Sequence, residues 1–340
     1  MSTKKRKENA GLKIKVAGGT LLAAGASAAA VCAAANHFFQ VAVVRDDEKR
    51  RKRKRPQTQK NADRVLAAYN DEIQAGMEWL KKQETEMVLL ESFDGLMLAA
   101  DLLEAPEASG TIILSHGYRS TPEYNFACVA QYYHEKGFHL LFVHHRAHGK
   151  SEGKYITMGV KESRDLADWA QWTADRFGSR HDIFLNGISM GATAVLLASG
   201  FPLPQNVRGI IADCGFTSPY EIFCHILKKD YHLPKFPLLY TTEHMAKKKA
   251  GFCFQEADTR RALKGNQIPV LFIHGGMDDF VPVSMSIENY KACNAEKMLF
   301  IVEEASHATS YMVDRDGHRR ALDEFLKKYR KNEKTAEKQI

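Results

Sequence analysis

Short apolar runs alternate with amphipathic stretches along the chain from about residue 85 onward. Runs at 86–92 and 96–103 flank Phe93-Asp94-Gly95, whose Asp-Gly pair favours a tight hairpin turn. Further runs lie at 111–115, 139–143, 182–188, 207–212, 268–273 and 297–302. Between them the apolar positions take up helical spacing at 122–136, closed by Gly137, at 162–177, closed by Gly178, at 192–199, and finally at 314–328. Strands alternating with helices predict an α/β fold, a mostly parallel sheet flanked by helices, over residues 61–330. No internal repeat interrupts this body, and the polar tail 331–340 is predicted to fray.

Two stretches break the alternation. Residues 218–256 form a polar-aromatic insertion between two strand runs, and Leu233-Pro234-Lys235-Phe236-Pro237 divides it into two helical parts. It is expected to be a small helical lid, with Phe223, Tyr231, Phe236, Leu239 and Tyr240 as an apolar roof. The other stretch, residues 16–44, contains no formal charge over 29 residues, more than the roughly 20 needed to cross a bilayer. It is expected to be a single-pass anchor, with Asn36, His37 and Gln40 near one interface. A cleaved leader ending near Ala33-Ala34-Ala35 and an Ala-rich soluble helix are the alternatives. Val31 is bulky for lipid modification at Cys32.

Charge supports the view of residues 1–60 as a separate arm and basic linker. The formal net charge is +7, yet residues 1–60 hold 15 Lys/Arg and 4 Asp/Glu, leaving the other 280 residues at −4. A slightly acidic body gives no support for nucleic-acid binding. The run Lys49-Arg50-Arg51-Lys52-Arg53-Lys54-Arg55 reads as a headgroup contact beside an anchor, or as a nuclear-localisation patch. Basic residues load both flanks of the apolar stretch, so the side of the membrane stays open, with a lean toward a cytoplasmic body. Outside Cys32, the cysteines are Cys128, Cys214, Cys224, Cys253 and Cys293. That odd number without paired spacing reads as buried thiols rather than disulfides.

The chemistry concentrates at the end of the 182–188 run, where Gly187-Ile188-Ser189-Met190-Gly191 spells G-x-S-x-G between a strand and a helix. A strand turning sharply into a helix with Ser at the apex needs very small neighbours. Met190 would then open the helix with its backbone N–H available to an oxyanion. Taken alone, the motif is equally a Gly/Ser turn. A serine nucleophile needs a base, and in sites of this kind an acid and then a histidine follow the Ser along the chain. Asp278, after the 268–273 run, and His307, after the 297–302 run, fit that order. Loops at the carboxyl ends of parallel strands converge on one edge of the sheet. Asp213 and Asp279 are the rival acids and His318 the rival base. The loop after 111–115, His116-Gly117-Tyr118, supplies the second oxyanion donor, the Tyr118 N–H, and Tyr118 also suits a pocket wall. No metal or organic cofactor is expected. His144, His145 and His148 cluster, but no acidic group or further histidine is spaced to complete a metal site, and no phosphate loop or dinucleotide fingerprint occurs.

The segments LSHGYRSTPEY (114–124), RAHGKSEGKYITMG (146–159), GISMGA (187–192), IIADCGFTSPYE (210–221), FIHGGMDDFVP (272–282) and ASHATSY (305–311) form an ordered set that resembles the α/β-hydrolase superfamily. The resemblance narrows to bacterial serine aminopeptidase-like or prolyl-oligopeptidase-like hydrolases with an N-terminal membrane segment. It implies the α/β-hydrolase fold, Ser189, Asp278 and His307 as a catalytic triad, and Tyr118 and Met190 as backbone oxyanion donors. The chain departs from the family pattern at His145, where Asp is common, and at Asn186, where His is common. The expected activity is cleavage of an ester, thioester or amide of a small acyl compound or short peptide. Esterase is favoured over peptidase, and a non-catalytic binding protein on the same fold is the third reading.

Overall fold

A computed structural model describes residues 28–45, 57–108 and 110–331. All eight runs read from the sequence are strands of one sheet: β1 (Glu86–Glu91), β2 (Met97–Leu103), β3 (Gly110–Ser115), β4 (Phe138–His144), β5 (Asp182–Ile188), β6 (Val207–Asp213), β7 (Val270–Gly275) and β8 (Lys297–Val302). Their order is β1-β2-β4-β3-β5-β6-β7-β8. β1 and β2 form an antiparallel hairpin, β2 lies antiparallel to β4, and the remaining strands are parallel. The winding direction changes at β3 and β5, and in such sheets the crevice beyond the strand ends at that point is where ligands bind.

The period-two alternation of a strand puts each central strand into two different cores. Ile113, Leu141, Val143, Ile183, Leu185, Ile210, Val270 and Phe272 face one side. There they pack against Leu166, Trp169 and Ala170 of α5 (Glu162–Phe177) and the apolar α6 (Met190–Ala198). Ile112, Leu114, Leu140, Phe142, Phe184, Ile211 and Leu271 face the other side. They meet Phe126, Val129 and Tyr133 of α4 (Pro122–Glu135) and Leu322 and Phe325 of α12 (Arg315–Tyr329). Burial on both faces explains why these strands read as continuous apolar runs.

Helices not foreseen in the sequence complete the body: α2 (Gln57–Ala67), α3 (Asn70–Lys81), α9 (Thr259–Gly265), α10 (Val283–Ala292) and the short α11 (Ser310–Val313). α3 crosses α4 so closely that a Cβ added at Gly76 would meet the Ala127 carbonyl oxygen at 2.2 Å.

The insertion between β6 and β7 folds as α7 (Pro219–Asp230) and α8 (Leu238–Ala250), broken where the proline-rich stretch was expected to break it. Ser218 caps α7 by accepting from the Glu221 N–H at 3.1 Å. The expected five-residue roof is only partly present. Phe223 and Leu239 are buried, but Tyr231, Phe236 and Tyr240 turn outward and are 42%, 70% and 67% exposed. Phe236 and Tyr240 face each other on the surface, 6.4 Å between centroids.

The expected membrane anchor is overturned. Among the described residues no helix is long and apolar enough to cross a membrane. Within the stretch 16–44, residues 28–42 form a helix, α1, that lies on the α/β body. Phe39, Ala42, Val43 and Val44 join a third core cluster with Phe216, Ile222, Phe223, Leu239, Phe252 and Phe254. Phe38 meets Phe223 edge-on at 5.4 Å, and Phe39 lies 5.8 Å from the Tyr155 ring. Asn36, expected at a membrane interface, accepts a hydrogen bond from Lys249 at 3.4 Å. Ala35, the last residue of the alternative leader-cleavage sequence, is wholly buried. Residues 16–27 and the basic run 49–55 lie outside the described residues. Within the described part of the apolar stretch, Ala35, Phe39 and Ala42–Val44 are buried against the body, among aromatic side chains of its own.

Candidate active site

The turn from β5 into α6 has the geometry that the G-x-S-x-G spacing demands. Ser189 sits at φ +57°, ψ −117°, a backbone conformation costly for any residue with a Cβ. The surroundings force it. A Cβ at Gly187 would meet the Gly191 carbonyl oxygen at 2.3 Å, and one at Gly191 would meet the Ser115 carbonyl oxygen at 1.9 Å. The Ser189 N–H donates to the Asp213 carbonyl at 2.8 Å, pinning the apex to the end of β6. Strain gathers along this edge: Arg119, Ala147, Ser189, Cys214 and Ala308 all hold positive φ, in loops following β3, β4, β5, β6 and β8.

Three of the residues read from the sequence meet in one hydrogen-bonded row. His307 Nε2 lies 2.9 Å from Ser189 Oγ, and His307 Nδ1 lies 2.6 Å from Asp278 Oδ2. An ionised carboxylate only accepts, so Nδ1 carries the proton, and in neutral His307 Nε2 accepts from the serine hydroxyl. Asp278 is fixed on its other oxygen by the N–H groups of Phe280 at 3.0 Å and Val281 at 2.9 Å. Its Oδ2 also receives His274 Nε2 at 3.2 Å. Burial pushes the Asp278 carboxyl up, but the charges and hydrogen bonds of His307 and His274 outweigh it and hold the group well below the usual carboxylate range. Burial likewise pulls His307 down, and Asp278 overcomes it, leaving the imidazole above its ordinary value.

The rivals go elsewhere. Asp213 turns its carboxylate toward His318 Nε2, 3.9 Å away, and Asp279 faces Lys229 at 3.5 Å. Sequence reasoning missed His274, whose only signal was its place at the end of β7, four residues before Asp278.

The loop after β3 runs beside Ser189, since a Cβ at Gly117 would lie 3.5 Å from the Ser189 Cβ. Asn125 holds that loop by accepting from the Gly117 N–H at 2.7 Å. Met190, wholly buried, is the first residue of α6. The histidine cluster works as scaffolding for the same loop. His145 Nε2 lies 2.9 Å from Ser115 Oγ, His116 Nε2 accepts from the His145 N–H at 3.2 Å, and His148 Nε2 accepts from the Arg119 N–H at 3.0 Å. Burial, reinforced by neighbouring imidazoles, pushes His145 down to about 3 and His116 well below its ordinary value, so both stay neutral. The two departures from the family pattern therefore have partners of their own: His145 meets Ser115, and Asn186 donates to the Tyr133 hydroxyl at 2.7 Å.

Acidic groups invisible to sequence spacing do approach His144. Asp101 on β2 and Glu123 at the start of α4 stand near it, but Lys150 Nζ already donates to both Asp101 oxygens at 2.7 and 2.5 Å. Cys214 lies beside Asp278 and His307, with its thiol pushed well up by burial. All six cysteines are free thiols. Cys214 and Cys293 are buried as expected, whereas Cys128, Cys224 and Cys253 are half-buried.

Comparison with known proteins agrees with this architecture. An esterase of Pyrococcus furiosus superposes with a TM-score of 0.60 at 23% identity, covering 73% of this chain and 92% of that one. The chain has the α/β-hydrolase fold. The sequence model of the family described as "Serine aminopeptidase, S33" matches residues 106–229 of this α/β-hydrolase, the span from β3 through the serine turn to the end of α7. Family match and fold together mark a hydrolytic enzyme of the esterase or peptidase kind. An acylaminoacyl peptidase of Pyrococcus horikoshii superposes with a TM-score of 0.55 at 17% identity, over 75% of this chain and 43% of that one. The uncharacterized protein YqkD of Bacillus subtilis is 29% identical over 271 residues, 79% of this chain and 88% of that protein.

Proposed function

We propose that the chain is a serine hydrolase that cleaves an ester, thioester or amide through an acyl-enzyme, with esters of apolar acyl groups favoured. The observation that carries this reading is the row from Ser189 Oγ through His307 to Asp278, with contacts of 2.9 and 2.6 Å, set on a strained turn. Ser189 Oγ attacks the substrate carbonyl as His307 Nε2 takes its proton. Asp278 stabilises the imidazolium through the Nδ1–H bond. The backbone N–H groups of Tyr118 and Met190 receive the negative oxygen of the tetrahedral intermediate. His307 then returns the proton to the leaving group as the carbonyl re-forms. In the second half, water attacks the acyl-enzyme, giving its proton to His307, and Ser189 leaves with that proton as the acid is released.

The apolar side chains clustered around Met190, among them Phe216, Ile222, Phe223 and Val281 with the partly buried Tyr118, favour an apolar acyl group. The peptidase reading draws on the matched family and the acylaminoacyl peptidase likeness. A fluorophosphonate probe tests the mechanism. Wild type should label stoichiometrically and Ser189→Ala should not. Equal labelling of both, or none of wild type, ends the proposal, and the second outcome leaves a non-catalytic protein on this fold. Comparing p-nitrophenyl butyrate with aminoacyl p-nitroanilides separates esterase from peptidase.

A further inference from the structure

The loop that carries Tyr118 is tied to the N-terminal segment by a contact set that no catalytic step requires. Arg119 donates from its guanidinium to the Val41 carbonyl at 2.6 Å and to the Val44 carbonyl at 2.9 Å. Its Nε donates to the Tyr118 hydroxyl at 2.6 Å. That hydroxyl in turn shares its proton between the Val41 and Ala42 carbonyls, at 3.1 and 3.0 Å. The carbonyls at the C-terminal end of a helix lack internal donors and lie at the negative end of its dipole. Arg119 and Tyr118 thus serve α1 as its C-terminal cap, from a loop more than seventy residues away in sequence.

The tie continues on the far side. Val44 pairs with Tyr155 in an antiparallel bridge, the Ile156 N–H donates to the Val43 carbonyl at 2.7 Å, and the Arg45 N–H donates to the Lys154 carbonyl at 2.8 Å. The Arg45 guanidinium reaches the carbonyls of Ser151 at 2.7 Å and Gly149 at 2.8 Å. One short segment thereby staples the loop after β3 to the loop after β4. Arg119 itself is held at φ +55°, a conformation that persists only where the surroundings over-determine it. Its N–H is fixed by His148, and the Gly117 N–H by Asn125. The Tyr118 N–H lies between those two anchored amides, in a turn that the Tyr118 and Arg119 side chains also tie to α1.

We propose that Arg119 is a positioning residue: by clamping the Tyr118 hydroxyl to the C-terminal end of α1, it aims the Tyr118 N–H at the oxyanion, making residues 28–45 a working part of the active site. This rests on the reading of Ser189 as nucleophile and Tyr118 as oxyanion donor. Arg119→Ala removes the clamp. Arg119→Lys keeps one charged donor without the fork, and Tyr118→Phe deletes only the hydroxyl while keeping the N–H.

The experiment uses the full chain, with active sites counted by fluorophosphonate titration and turnover of p-nitrophenyl butyrate expressed per titrated site. An alkyl trifluoromethyl ketone, which adds to the serine to give a tetrahedral oxyanion, supplies the second readout. Misaiming one oxyanion donor is expected to lower kcat about 10- to 100-fold in Arg119→Ala, with KM changed less than about threefold. The ketone Ki should rise by a factor similar to the fall in kcat/KM. Arg119→Lys should recover part of both losses, and Tyr118→Phe should lose less than Arg119→Ala. Should wild type fail to label, the nucleophile assignment falls. Should wild type label and turn over while kcat per site and ketone Ki in Arg119→Ala and Tyr118→Phe stay within twofold of wild type, the positioning role falls alone. If Arg119→Ala does not fold, Tyr118→Phe decides by the same two readouts.

Discussion

The segment 28–44 and the strand β5 with its turn are both apolar stretches, and the structure buries them in opposite ways. β5 is covered on both faces, between α5–α6 and α4–α12, and its end is held by backbone contacts that admit only glycine. The N-terminal segment is covered on one side, by Phe223, Leu239 and Tyr155, and its end is held by side chains of a distant loop. Hydrophobicity along a chain states how much surface must leave water. It does not state whether lipid, sheet or a neighbouring helix supplies the cover.

The largest effect expected on this contrast comes from Phe39→Ala. Phe39 is 1% exposed, and truncating a buried phenylalanine costs about 3–5 kcal/mol. Urea denaturation should show that loss; a change under about 1 kcal/mol would mean the segment is a loosely attached arm. Next comes Gly191→Ala at the other region. Its methyl would enter the space of the Ser115 and His116 carbonyls, and a shift of about 1 Å there should cost roughly 100-fold in kcat. Esterase kinetics near wild type would show that the turn has slack.

Acidity bears on the region of the serine turn. In the proposed mechanism His307 must be neutral to act as base, and Asp278 raises its pKa from the ordinary 6.5. The logarithm of kcat/KM should therefore rise with unit slope at low pH and level off at a midpoint above 6.5. A midpoint below 6.5 would contradict the Asp278–His307 pairing. The contacts that hold the end of α1 come from the Arg119 guanidinium and the Tyr118 hydroxyl, both donating to backbone carbonyls. The smallest effect belongs to Phe236→Ala, on the solvent side of the α7–α8 insertion. At 70% exposure it should change stability by less than about 0.5 kcal/mol, against the several expected for Phe39. A comparable loss in the melt would refute the outward placement of that ring.

The central strands were legible because burial on both faces writes itself as runs rich in Ile, Leu, Val and Phe. The serine turn was legible because a backbone approach of this kind excludes every side chain, and that exclusion leaves Gly187 and Gly191 in the sequence. Asp278 and His307 could be placed because both follow strand runs. α2 and α3 escaped notice because their apolar faces are narrow and their residues mostly polar. The fate of residues 28–44 was misread for a different reason. Its cover comes from residues near 118, 155, 220–254 and 281, and no local window contains them. The roof was half right on the same account: helical spacing marks which face is apolar, while the outward turn of Phe236 and Tyr240 depends on the linker between α7 and α8.

Ala35 accepts a 3.5 Å hydrogen bond from Thr242 across 207 residues of chain, and that separation has a consequence for biosynthesis. On the ribosome, α1 emerges long before β4, α7 and α8 exist to receive it. Contacts of such long sequence separation close late, so Phe39, Val43 and their neighbours remain exposed, greasy and unclaimed until nearly the whole domain has been made. In that interval the segment is open to chaperone binding or self-association.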